Sequence, residues 1–214
     1  MPTTILLIRH GETAWNAARR LQGHIDIGLN DEGRRQAGLL ADALAGTRLD
    51  AIIASDLARA HDTAAAVAAH HGVPVQNDRQ LRERCYGAFE GLTHAEIRAR
   101  YPDDYVAWQA RDVDAQMPAG VRVAESFRQF YQRSMAALYD WAGRYPGQTI
   151  AVVAHGGVLE CAHRAAAGGK LGGPRDFEIK NASVNRFTFS DDKLVLLRWG
   201  DVDHLTAPAI DELG

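Results

Sequence analysis

Three short stretches of the chain are apolar at nearly every position rather than at alternate ones. They lie in residues 3–9 (TTILLIR), 50–54 (DAIIA) and 149–154 (TIAVVA). Continuous β-branched and leucine runs of this length predict strands buried on both faces, as in a parallel sheet. Helical patterns fall between them. One spans 31–45, with Asn30 as N-cap and Asp31 and Glu32 in its first turn; another spans 57–71, is rich in alanine and ends at Gly72. Phe127, Phe130, Tyr131, Leu138 and Trp141 recur at helical spacing, which predicts an amphipathic helix over 122–143 whose aromatic stripe packs on the sheet. A further helix is predicted at 155–168. VNRFTF and KLVLLRW flank Asp191-Asp192 and read as two late strands joined by a turn. Strand and helix alternate, so the expected fold is α/β: a three-layer α/β/α sandwich around a mostly parallel sheet.

Two segments depart from that alternation. Residues 84–122 contain Pro102, Pro118 and Gly120, and the aromatics Tyr101, Tyr105 and Trp108 follow no long period, so this stretch is expected to form a helical and loop insertion, a lid. Residues 201–214 read as a loose tail. No repeat, low-complexity block or linker breaks the chain, and 214 residues with 46% hydrophobic content can bury one core, which predicts a single domain over 1–214.

Charge and cysteine content narrow the partners. The net charge is −3 with basic residues dispersed among acids, which argues against a nucleic-acid partner or an anionic membrane surface. MPTTILLIRH is too short in its apolar run and too early in its charge for a signal peptide, and no apolar stretch approaches the roughly 20 residues of a membrane span. A soluble cytoplasmic protein is expected. Cys85 and Cys161 form no CxxC pair and suggest packing in a reducing compartment rather than a disulfide or a zinc site. The surface pattern is compatible with a homodimer without singling one out.

The candidate chemistry lies at strand ends, where open α/β sheets bind ligands. His10 follows the strand ILLIR and precedes Gly11; His155 follows IAVVA and precedes Gly156-Gly157. Glycines there let the backbone approach a ligand and leave helix N–H groups for an anion. Arg9 adjoins the first histidine, and Arg59 sits in SDLARAHDTA after the strand DAIIA. Imidazoles and guanidiniums converging from three strand ends suit a phosphoryl group, because arginine forks bind its oxygens and stay charged.

Five stretches in order, LLIRHGETAWN, LQG at 21–23, SDLARAHDTA, LRERCYGAFEG and VVAHGG, resemble the histidine phosphatase superfamily, which includes the cofactor-dependent phosphoglycerate mutases. The resemblance implies that His10 is a nucleophile phosphorylated on a ring nitrogen. Arg9, Arg59 and His155, the last protonated or donating, would surround the phosphoryl oxygens, with no metal ion required. It names Glu83 as the proton donor, with Glu90 as the competing carboxylate; an ordinary ion pair with Arg82 or Arg84 is the structural alternative for Glu83. Asn16, Gln22 and Gly23 match positions that contact phosphate or substrate, and Gly156 lies where the backbone meets the ligand. Thr13 is open between donating to the site and capping a short helix at 13–19. Glu12 reads as a structural acceptor, and the remaining histidines, including His70-His71, as solvated or structural.

Within that family the same core serves mutases and phosphatases. Mutases similar to this chain continue the glutamate motif with His-Tyr-Gly, then a lysine a few residues on, then an adjacent Arg-Arg pair, all of which hold a second anion. Here Cys85 replaces that histidine, His94 stands near the lysine place, and WQARD offers at best Arg111; Arg98, Arg100 and Arg122 are not placed by sequence. A mutase without that clamp loses its bisphosphate to water. The expectation is therefore a phosphomonoesterase acting on a small phosphate ester without a cofactor, 2,3-bisphosphoglycerate being needed only by the mutase alternative. A catalytically silent phospho-ligand binding module is the remaining alternative.

Overall fold

The computed structural model describes residues 1–212. Strand β1 (Thr3–Arg9) is followed by the short helix α1 (Ala14–Ala17), α2 (Asp31–Leu44), β2 (Ala51–Ala54), α3 (Ala58–Ala68) and β3 (Val75–Asn77). Then come α4 (His94–Arg100), α5 (Pro102–Gln109), α6 (Phe127–Gly143), β4 (Thr149–Ala154), α7 (Gly156–Ala167), β5 (Val184–Ser190) and β6 (Lys193–Asp201). The sheet order is β3-β2-β4-β1-β5-β6. The first four strands run parallel, and β5 is antiparallel to both β1 and β6.

The apolar strands are buried on both sides because their alternate residues feed two different cores. Ile5, Leu7, Ile53, Ile150 and Val152 pack with Phe130, Leu138 and Trp141 of α6 and Val158, Leu159 and Cys161 of α7. Leu6, Ile8, Ile52, Ala151 and Val153 pack with Leu40 and Leu44 of α2 and Ala60, Ala64 and Val67 of α3. That division produces the α/β/α layers. The β5–β6 hairpin turns at Asp191 and Asp192, both at positive φ (51° and 56°), a conformation that aspartate tolerates in a two-residue turn.

Several boundaries differ from the sequence expectation. Helix α6 starts at Phe127, five residues late, because Ser126 caps it: its hydroxyl accepts from the Gln129 amide while the Gln129 side chain accepts from the Ser126 amide. Helix α3 ends at Ala68, and the His71 ring meets the carbonyl oxygens of Val67 (2.8 Å), Leu44 (3.1 Å) and Thr47 (3.0 Å). His71 thus ties α3 to α2 rather than standing in solvent, whereas His70 is exposed. Strand β3 was not expected; it is a three-residue edge strand with no apolar run. The described part of the tail is not loose: Asn181 N donates to Ile210 O (3.0 Å), Glu212 N donates to Ile179 O (3.0 Å), and Lys180 and Asp211 form a β-bridge.

Residues 84–122 carry α4 and α5 and a separate small core of Phe89, Ile97, Met117 and Leu21, on which Tyr101, Tyr105 and Trp108 pack. Trp108 stacks near His94 (ring centroids 4.8 Å) and Phe89 (5.7 Å), so the aromatics that lacked a period share one cluster.

Candidate active site

The register of β1 and β4 pairs Arg9 with Ala154, so the residues that follow, His10 and His155, leave adjacent parallel strands side by side. Their rings lie 5.2 Å apart, and His10 N donates to Ala154 O at 3.0 Å. The turn after His10 is packed tightly against the start of α2. A side chain at Gly11 would approach Gly33 O to 2.6 Å, and Glu12 accepts from Asn30 Nδ2 at 2.8 Å. Glu12 is the structural acceptor its position suggested.

His10 Nδ1 lies 2.7 Å from Gly11 O. A carbonyl oxygen only accepts, so Nδ1 carries the proton and the lone pair resides on Nε2. Burial, with Arg59 and Arg9 nearby, pushes the His10 pKa well below its ordinary value. His155 is lowered in the same direction by burial, then by Arg59 and His10, so it is a neutral imidazole here, which leaves donation as the form of its two expected roles, protonated or donating. Its Nε2 lies 2.8 Å from Ser55 Oγ, and its buried Nδ1 has no partner among the described residues.

Two buried guanidiniums accompany these imidazoles. Arg59, on the first turn of α3, donates to Gly23 O (2.8 Å) and Ile25 O (3.1 Å); burial lowers it to about 10, which leaves it charged at neutral pH. Arg9 donates through Nη1 to Ile179 O (2.6 Å) and Ile210 O (3.0 Å), and its Nη2 pairs with Glu212 Oε2 at 2.6 Å.

Glu83 is 6% exposed and makes no ion pair with its neighbours in sequence. Arg82 turns to Asp56 in a bidentate pair (2.6 and 2.7 Å), and Arg84 donates to the carbonyls of Glu125 (2.9 Å) and Ala115 (3.3 Å). The Glu83 carboxylate instead accepts from the amides of Arg84 (2.7 Å) and Gly157 (3.0 Å). The start of α7 therefore holds the acid rather than offering that N–H to an anion. Burial, and then the charge of Glu212, push Glu83 up to about 7. Glu90 is employed elsewhere, accepting from the amides of His24 (2.9 Å) and Tyr86 (3.2 Å).

His10, Arg59, Glu83, Asn16, Gln22 and Gly23 line one cleft, together with Arg20, Leu21, Tyr86 and Glu212, which sequence did not single out. Thr13 does not line it. Its hydroxyl lies 3.0 Å from both Asn16 Oδ1 and Gln22 Oε1, which share its one proton, and accepts from the Asn16 amide, so it caps α1 and orients those two side chains. Gly156 lies against Glu212, whose carboxylate a Cβ there would meet at 2.1 Å. With Glu212 in place the cleft has about 10 Å³ of free space, room for about one water. The tail carboxylate thus occupies the spot where the guanidiniums and imidazoles converge.

A second cavity of about 320 Å³ adjoins the cleft across Tyr86 and the Glu83–Gly157 contact, bordered by Trp108, Phe127 and Phe130. Of Arg98, Arg100, Arg111 and Arg122, the candidates for a second anion site, Arg111 alone reaches it, and Arg111 is paired with Glu160. Arg98, Arg100 and Arg122 are exposed.

The family profile described as the histidine phosphatase superfamily (branch 1) matches residues 5–202. A phosphoglycerate mutase-like protein 4 of Arabidopsis thaliana is 39% identical over 204 residues, 94% of this chain and 86% of that protein. A metal-independent phosphoserine phosphatase of the same plant is 39% identical over 211 residues, 96% and 84% of the two chains. Among solved structures, Bacillus stearothermophilus YhfR superposes with a TM-score of 0.85 at 34% identity, covering 94% of this chain and 98% of the other. Phosphoserine phosphatase of Entamoeba histolytica, solved with 3-phosphoglyceric acid, superposes with a TM-score of 0.82 at 26% identity, covering 94% and 98%.

Proposed function

The chain belongs to the histidine phosphatase superfamily and is a phosphomonoester hydrolase, and from that premise we propose that His10 is its nucleophile and Glu83 its acid and base. The observation that carries the assignment is the Nδ1 contact of His10 with Gly11 O, which leaves Nε2 unprotonated beside Arg59 and Glu83.

In the first step the Nε2 lone pair attacks phosphorus and the bond from phosphorus to the ester oxygen breaks. Glu83, protonated up to about pH 7, gives its proton to the departing alkoxide. In the second step the Glu83 carboxylate takes a proton from water as the water oxygen attacks phosphorus. The N–P bond breaks, inorganic phosphate leaves, and His10 regains its lone pair. Arg9 and Arg59 are the fixed positive charge for the equatorial oxygens, and they supply without a metal what a metal ion supplies in other phosphoryl transfers. A dianion bound there draws the His155 pKa upward and gives its unpartnered Nδ1 an acceptor. Asn16 and Gln22, oriented by Thr13, complete the cradle.

Residues 84–122 are the lid of a single domain in this reading, and the leaving group lies beneath them. The free, buried Cys85 and Cys161 suit a reducing, cytoplasmic setting. The deciding experiment is release of phosphate from a chromogenic phosphate ester, with acid-labile phosphoenzyme trapped by rapid quench. Both signals are expected from the parent and neither from His10→Ala; phosphoenzyme in His10→Ala would overturn the assignment.

A further inference from the structure

We infer that the preferred substrates are phosphate esters whose alcohol carries a flat apolar body ending in a second anion, with Arg84 as the residue that reads that anion. This rests on the hydrolytic reading above. The phosphoryl group belongs between His10 and Arg59, and the ester oxygen must face Glu83 to receive its proton. Glu83 is held by the amide of Gly157, which borders the 320 Å³ cavity, so the rest of the alcohol extends into that cavity.

Its walls specify what fits. Tyr86, Trp108, Phe127 and Phe130 present aromatic surface, and a cavity of this size accepts a ligand well beyond three carbons. Arg84 lines the same space although it is only 5% exposed. Its guanidinium lies 5.5 Å from the Tyr86 ring centroid and 5.9 Å from that of Phe127, and its hydrogen bonds go to two carbonyl oxygens, with no carboxylate partner among the described residues. A buried cation bonded only to neutral acceptors gains more from an arriving carboxylate than a solvated one does.

The other charges reinforce this sign. Glu160 is shared by Arg111 and Arg164, which leaves a positive excess there, and Arg175 donates to Glu212 O at 2.6 Å with Asp211 at 3.6 Å. Asp112, also on the cavity wall with its Oδ1 accepting from the Asp114 amide, offsets part of this excess, but the wall's guanidiniums, Arg84, Arg111 and Arg175, still outnumber its carboxylates, Asp112 and Glu160.

The test compares 3-(4-phosphonooxyphenyl)propanoate with its primary amide, two esters with closely matched leaving groups, alongside 3-phosphoglycerate. The parent should show a kcat/KM about tenfold or more higher for the acid than for the amide, the size expected for a charge-assisted contact. In Arg84→Met the ratio should fall towards one, and Arg84→Lys should restore part of it. Should Arg84→Met fail to fold, inhibition of the parent decides: 3-(4-hydroxyphenyl)propanoate should compete and its amide should not.

Equal kcat/KM for acid and amide, both dependent on His10, would overturn this inference and leave the hydrolytic reading intact. A clear preference for 3-phosphoglycerate over the aryl acid would overturn the apolar body. No His10-dependent turnover of any of the three would sink both readings together.

Discussion

Glu212 Oε2 lies 2.6 Å from Arg9 Nη2, inside the cleft that also holds His10, Arg59 and Glu83. In the proposed mechanism this tail carboxylate stands where the phosphoryl oxygens would bind, and substrate must displace it. An internal occupant reduces apparent affinity by the fraction of molecules in which the cleft is open. Glu212→Ala should lower the KM for aryl phosphates and the Ki for inorganic phosphate by about threefold to thirtyfold, with kcat changed far less. Unchanged constants would mean that the tail leaves without cost.

Gly156 and Gly157 separate the tail from the acid. The nearest neighbour of a Cβ at Gly156 is the Glu212 carboxylate, at 2.1 Å, whereas one at Gly157 reaches Glu83 Oε1 at 2.2 Å and the Phe130 ring at 2.9 Å. Gly156→Ala should therefore resemble Glu212→Ala in phosphate affinity. Gly157→Ala should cut kcat for alkyl phosphates by about tenfold to a hundredfold, because it moves the proton donor. Steady-state kinetics on both variants distinguishes the two.

As the proposed proton donor, Glu83 should set the basic limb of the pH profile. Its raised pKa keeps it protonated up to about 7, so kcat/KM for esters of poor leaving groups should fall as pH rises through that value. His10, held well below its ordinary pKa, is already neutral across this range and adds no limb there. Since the charge of Glu212 contributes to raising Glu83, Glu212→Gln should move the limb to lower pH. Glu83→Gln should abolish the limb and slow alkyl phosphates more than nitrophenyl phosphate.

His10→Ala should lose hydrolysis by about 10³-fold or more while melting close to the parent, since the ring bonds only its neighbour's carbonyl. Circular dichroism alongside the phosphate assay checks both halves of that statement.

Mutase activity has a direct assay. With 2-phosphoglycerate, inorganic phosphate should accumulate at the same rate whether or not 2,3-bisphosphoglycerate is added. The one arginine of the lid that reaches the cavity from the expected set, Arg111, is already paired with Glu160. Accumulation of 3-phosphoglycerate only when the bisphosphate is present would establish the transfer reaction instead.

Local chemistry made much of this legible in the sequence. Residues 3–9, 50–54 and 149–154 announced themselves because burial on both faces demands unbroken apolar runs, and the two histidines stood out as polar residues directly after such runs. What escaped depended on distance. Glu212 is an ordinary acid in a short tail until its amide pairs with Ile179 O and Asn181 pairs with Ile210. Arg84 looked like a partner for Glu83, but the backbone turns the two side chains apart and the guanidinium finds carbonyls 31 and 41 residues away. Thr13 could cap or bind on sequence grounds, and the Asn16 amide that its hydroxyl accepts decides in favour of capping.

The pairing of Arg9 with Ala154 has a further result. Both imidazoles leave from neighbouring, hydrogen-bonded strands in the middle of the sheet, which fixes their spacing through the most protected part of the fold. Amides of β1 and β4 should exchange with solvent only through global opening. On warming, the aromatic cluster around Trp108 can loosen and blur substrate choice while cleavage of simple esters persists until the whole molecule melts.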